Sequence, residues 1–162
     1  MFNKILVPLD GSELAAKVLP FVLDLAKTHD SQVTLVYVFY VGESNTFPNW
    51  IEEAAAEERK SCELSLENAA KDLRAKGVKE VKVVCLEGSP AREIIAYAKD
   101  NGMDLIAMST HGKGEVAWVL GSVAEKVVSH ATVPVLLFRV ILPKPLMFKE
   151  EYFEEVMERG LP

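Results

Sequence analysis

Two short stretches gather the residues best suited to handling a charged ligand. The first is Asp10-Gly11-Ser12, and the second runs Ser109-Thr110-His111-Gly112-Lys113-Gly114 and closes at Gly121-Ser122. Gly112 and Gly114 allow backbone conformations closed to other residues and let a bulky anion approach the amides. Lys113 between them adds positive charge. Gly121-Ser122 opens a helical stretch whose unpaired N–H groups and dipole favour a phosphate. Asp10, on a second loop, supplies a carboxylate able to accept hydrogen bonds from sugar hydroxyls. This is the chemistry of a polyphosphate cradle. Ser122 and Glu125 also fit an S-x-x-E capping box, which explains both residues without a ligand. His111 reads either as a phosphate contact or as an exposed loop residue.

Other chemistries find less support. No GxxxxGK[ST] loop is present and no GxGxxG follows the first strand, so neither a Walker-type site nor a dinucleotide fingerprint is expected. His29, His111 and His130 lack ligand-like spacing with Cys or carboxylates, and no metal site is expected. No serine sits in a GxSxG elbow, and no nucleophile stands beside a base, so no catalytic residue is assigned. A formal net charge of −6 argues against a sequence-independent grip on nucleic acid. Cys62 and Cys85 belong to no CxxC pair and are expected to be reduced core residues. The opening residues do not fit a signal peptide, and no run approaches the length of a membrane span. A cytoplasmic location without membrane contact is the resulting expectation.

The elements that must position these loops alternate. Residues 4–9, KILVPL, form a short apolar run closed by Asp10-Gly11, as in a strand buried on both faces. Ser12 can cap a helix over 13–29 with apolar residues at helical spacing, bent at Pro20. Strands are expected over 32–39, 81–86, 105–108 and 133–138, with Pro134 favouring an edge position for the last. Helices are expected over 51–76, from Ser89-Pro90 to Asn101, and over 122–131. Residues 41–50 form a loop suited to covering a site. Strict alternation implies an α/β fold with a doubly wound, mostly parallel sheet and helices on both faces. Ligands in such sheets bind beyond the carboxyl ends of the strands, where the winding reverses. From Pro143 the pattern changes: Phe148, Tyr152, Phe153, Val156 and Met157 fall on one face of an amphipathic helix. That helix either folds back on its own domain or crosses to a partner subunit.

The blocks KILVPLDGS and GSPAREIIAYAKDNGMDLIAMSTHGKGEVAWVLGSVAEKVVSHATVPVLLFR, in this order and spacing, resemble the universal stress proteins of the UspA type over residues 1–139. The resemblance implies a five-stranded sheet of order 3-2-1-4-5, usually dimeric through the fifth strand, here residues 133–138. The family divides into members that bind ATP and members that do not. The former carry G-x-x-G, nine residues, then G-[ST]. Carried over, Asp10 meets the ribose, Val38 lines the adenine pocket, and Gly112, Gly121 and Ser122 hold phosphates. Pro8, Leu9, Met108, Ser109, His111, Lys113 and Val123 complete the expected cofactor-binding set. Two departures stand out. Ser109 replaces the first glycine, a small residue that leaves room for the ribose and can hydrogen-bond to it. Only eight residues, 113–120, separate Gly112 from Gly121, a shortening that favours AMP or ADP over a triphosphate.

The resulting expectation is a stress-protein domain over 1–140 with a helical extension over 141–162. It would bind ATP, ADP or AMP, with magnesium accompanying a triphosphate, and act as a cytoplasmic dimeric sensor or switch, not as a metabolic enzyme. The alternative is a nucleotide-free dimeric interaction protein that recruits partners through its fifth strand and C-terminal helix.

Overall fold

The structure is a computed structural model that describes residues 2–40, 48–112 and 120–139, and side chains within 48–52 are not described. Five parallel strands form one sheet in the order β3-β2-β1-β4-β5. They are β1 (Lys4–Leu9), β2 (Gln32–Phe39), β3 (Val81–Glu87), β4 (Leu105–Ser109) and β5 (Val135–Phe138). The helices are α1 (Glu13–Ala16), α2 (Leu19–His29), α3 (Pro48–Ala75), α4 (Pro90–Asp100) and α5 (Ser122–His130). The central strands are apolar at successive positions because both faces are covered. Side chains alternate between the faces, so Ile5 and Val7 of β1 join Val33, Leu35, Leu105 and Ala107 beneath α2 and α3. Leu6 joins Val36, Ile106 and Met108 beneath α4 and α5. Among the described residues no helix is long and apolar enough to cross a membrane.

Three expectations change on contact with the structure. The helix over 13–29 is two helices, not one bent helix. Pro20 stands in the first turn of α2, and because it has no N–H to return to Ala16 the chain turns at Lys17-Val18 and restarts. The long helix begins at Pro48, earlier than residue 51, and the fifth strand begins at Val135, after Pro134. β5 is an edge strand, as Pro134 beside it suggests; the Pro134 carbonyl accepts from the Ile106 N–H, and the missing N–H of Pro134 leaves no pairing unmet at the edge.

The third change concerns the cysteines. Cys62 of α3 and Cys85 of β3 are joined in a disulfide, correcting the expectation of two reduced core residues. Sequence separation hid the pairing. The helix returns antiparallel over the strand that follows it, and residues 23 apart in the chain become neighbours.

Candidate functional site

β1 is the innermost strand, and the chain leaves it first toward β2 and later returns on its other side as β4. The reversal leaves a crevice between the carboxyl ends of β1 and β4, into which the two following loops project. Gly11, at φ +77, makes the turn out of β1. Ser12 then closes it: its backbone N–H and its hydroxyl both donate to Asp10 Oδ1, at 2.9 and 2.6 Å. The same hydroxyl accepts from the Ala15 N–H at 3.1 Å, so Ser12 caps α1 as its type suggests. Asp10 is thereby held by one carboxylate oxygen while the group faces the crevice.

On the other side, β4 runs into Thr110, His111 and Gly112. His111 is only 4% exposed, with Nδ1 2.8 Å from Thr110 Oγ1, so it is a buried wall residue and not an exposed loop histidine. Gly112 does not adopt a left-handed backbone; its requirement is space. A Cβ at this position would lie 2.1 Å from Asp10 Oδ2, so the glycine seats the β4 loop directly on the carboxylate. The Gly121 N–H donates to the Thr110 carbonyl at 3.0 Å and brings the far end of the loop back to its start. Residues 113–119, Lys113 among them, lie outside the described residues, as do residues 41–47 of the expected covering loop.

Gly121 is the N-cap of α5, and Ser122 is the first helical residue. No side chain caps this end, so the capping box expected of Ser122 and Glu125 does not form; Glu125 makes only the ordinary backbone bond to Gly121. The first-turn N–H groups of α5 have no partner within the helix and open toward the crevice. This is the arrangement that favours an anion. The non-ligand explanation of Ser122 is thus removed.

These elements enclose a cavity of about 250 Å³. Its walls include Pro8, Leu9, Asp10, Val38, Met108, Ser109, His111, Gly112, Gly121, Ser122 and Val123, every expected residue except Lys113. Thr110 of the same loop also lines it, as do Ala15, Val36, Ala124, Pro90 and Ile94, which were not anticipated. Val36 was within reach of strand alternation, since it lies two residues before Val38 on the same face. Pro90 and Ile94 come from the first turns of α4, which follows edge strand β3, and no local signal brings them there. The cavity is apolar at Val36, Val38, Ile94 and Met108 and polar at Asp10, Gly112 and Ser122. Such a recess suits a flat ring with a charged tail. Among the described residues no three His, Cys, Asp or Glu converge to hold a metal.

Ser109 departs from its expected role. Its hydroxyl donates to the carbonyls of Leu14 and Ala15 at 3.2 and 3.0 Å, and the residue is 5% exposed. It therefore ties β4 to the end of α1, and its hydroxyl is engaged there instead of being presented to a sugar. Ser109→Ala should cost about 1 kcal/mol of unfolding free energy, read as a lower urea midpoint. The loss stays modest because both carbonyls also accept from the backbone, at Lys17 and Val18.

The family model described as the universal stress protein family matches residues 1–139. The chain belongs to that family. It is 34% identical to the universal stress protein YxiE of Bacillus subtilis, over 86% of this chain and all of that one. The solved structure of MJ0577, a universal stress protein of Methanocaldococcus jannaschii, superposes with a TM-score of 0.78 at 32% identity, covering 86% of this chain and 96% of the other. The universal stress protein from Archaeoglobus fulgidus, solved in complex with dAMP, shares the fold at 24% identity and a TM-score of 0.60, covering 85% and 98%. The strand order implied by the family resemblance is the order found.

Proposed function

We propose that this universal stress protein binds an adenine nucleotide in the crevice between β1 and β4 and acts as a stress-responsive switch, not as a metabolic enzyme. The observation that carries the reading is the uncapped N-terminus of α5 facing the Asp10–Gly112 contact across an apolar recess. In this reading the adenine lies against Val36, Val38 and Met108, the ribose hydroxyls donate to Asp10, and the phosphates rest on the amides of Ser122 and Val123 beside Gly121. Lys113 and His111 complete the phosphate end. Magnesium enters with the phosphates of ATP as their counter-ion. That the fold can house an adenine nucleotide is supported by the Archaeoglobus fulgidus protein in complex with dAMP. The short 113–120 connection favours AMP or ADP over ATP.

The same reading places the protein in the cytoplasm as a homodimer joined through residues 133–138. Support for the dimer comes from the edge position of β5 and from the apolar side chains beside it. Phe21 is 51% exposed and stacks on Phe138 with ring centres 4.6 Å apart, and Leu136 is exposed next to them. Residues 1–140 would form the domain, and 141–162 an extension that lies outside the described residues.

Isothermal titration with ATP and magnesium tests the site. Asp10→Ala should weaken binding at least tenfold, because the ribose loses its acceptor and the Ser12 turn loses both its hydrogen bonds. Wild-type affinity in both Asp10→Ala and Gly112→Val would mean that the nucleotide binds elsewhere.

A further inference from the structure

We propose that Cys62 and Cys85 form a thiol–disulfide switch that fixes or frees the N-terminal half of α3. The proposal begins with where the bond lies along the helix. From Cys62 onward α3 is anchored by fully buried Leu66, Ala70 and Leu73. Before Cys62 no described side chain of α3 is buried. Its contacts with the sheet include a hydrogen bond from Tyr37 Oη to Glu58 Oε1 at 3.4 Å and the Arg59 guanidinium 5.6 Å from the centre of the Phe39 ring. Cys62 is the last buried anchor, and it is covalent.

The two sulfurs differ in access. Cys62 is 2% exposed, whereas Cys85 is only half-buried because β3 is the sheet edge. A thiolate of an incoming dithiol therefore attacks Cys85 Sγ, the S–S bond breaks, and Cys62 leaves as a thiolate that takes up a proton. The second thiolate of the dithiol attacks the mixed disulfide, releases Cys85, and departs as the oxidised disulfide. Two electrons pass from the dithiol to the cysteine pair. A low-molecular-weight disulfide reverses both steps. Disulfides in a reducing compartment are characteristically transient and redox-sensing, which suits a bond placed at a hinge.

The hinge lies one strand from the crevice. Cys85 pairs in register with Tyr37, and Leu86 with Val38, which lines the cavity. Freeing the first half of α3 removes its contacts from Tyr37 and Phe39 on either side of Val38. The consequence for ligand affinity rests on the nucleotide reading above; the switch itself does not.

Limited trypsin digestion of the full chain, equilibrated with glutathione disulfide or with dithiothreitol, tests the switch. Cleavage after Arg59 and Lys60, identified by peptide mass, should be at least tenfold faster in the reduced protein. Cys85→Ala should be cleaved at the fast rate in both conditions. Equal rates in the two states of the wild type would overturn the proposal, as would two alkylatable thiols after equilibration with glutathione disulfide; the wild-type comparison stands alone should Cys85→Ala fail to fold. ATP titration of the two states should show at least a threefold difference in affinity, and equal affinities would overturn the link to the crevice. Absence of ATP binding in both states would contradict the nucleotide reading, while the digestion still decides the switch.

Discussion

Gly112→Val should weaken ATP binding at least a hundredfold while leaving the fold intact. The glycine touches the site's carboxylate, and a Cβ there would stand 2.1 Å from Asp10 Oδ2 and 3.1 Å from Cγ. Atoms at that distance cannot coexist, so one side must move. Asp10 resists because Ser12 holds its other oxygen twice, and the turn that carries it is the start of α1. The β4 loop therefore lifts away, disturbing the Thr110–Gly121 hydrogen bond that ties it to the start of α5. A hundredfold loss corresponds to about 2.8 kcal/mol, twice the value of a tenfold change. Calorimetric titration gives the affinity, and circular dichroism establishes that the sheet survives. Wild-type affinity in a folded Gly112→Val protein would mean that the contact between the two loops does not shape the site.

Reduction of Cys62–Cys85 should lower the unfolding free energy by about 3 kcal/mol, since the bond closes a loop of 23 residues in the unfolded chain. The measurement is a pair of urea curves, with and without dithiothreitol. A lower midpoint is expected in the reduced sample, and Cys62→Ala should be low in both. Coincident wild-type curves would show that the disulfide adds nothing to global stability. Most of the core, including Ile5, Val33 and Ile106, lies outside the 62–85 loop, so the reduced protein should remain folded at room temperature.

Much of this organisation was legible in local chemistry. Short apolar runs ending in Asp10-Gly11 or in Asn101-Gly102 mark where strands and helices stop, and the alternation of the runs demands a parallel sheet. The position of the crevice followed from that topology, and Asp10, Gly112 and Gly121 line it. What the sequence concealed depends on contacts between distant segments. Ser109 hydrogen-bonds to the carbonyls of α1, 94 and 95 residues away. Nothing around residue 109 announces those partners. Pro90 and Ile94 reach the cavity only because α4 crosses back over the sheet. Gly112 suggests backbone freedom and room for an anion from its sequence, whereas in the fold the space it leaves is taken by the Asp10 carboxylate. Ser122 and Glu125 had capping-box spacing, yet the helix starts one residue earlier than a cap at Ser122 requires, since Gly121 takes that position. The disulfide is the plainest case: two cysteines 23 apart meet only through the antiparallel return of α3 over β3.

The most direct test is to denature the freshly purified protein, identify the small molecules released by mass spectrometry, and titrate the emptied, refolded chain with ATP and magnesium. ATP, ADP or AMP in near-stoichiometric amount, with saturable rebinding lost in Gly112→Val, is the expected result. No released nucleotide and no heat of binding would contradict the adenine-nucleotide site and favour a nucleotide-free interaction protein acting through its fifth strand.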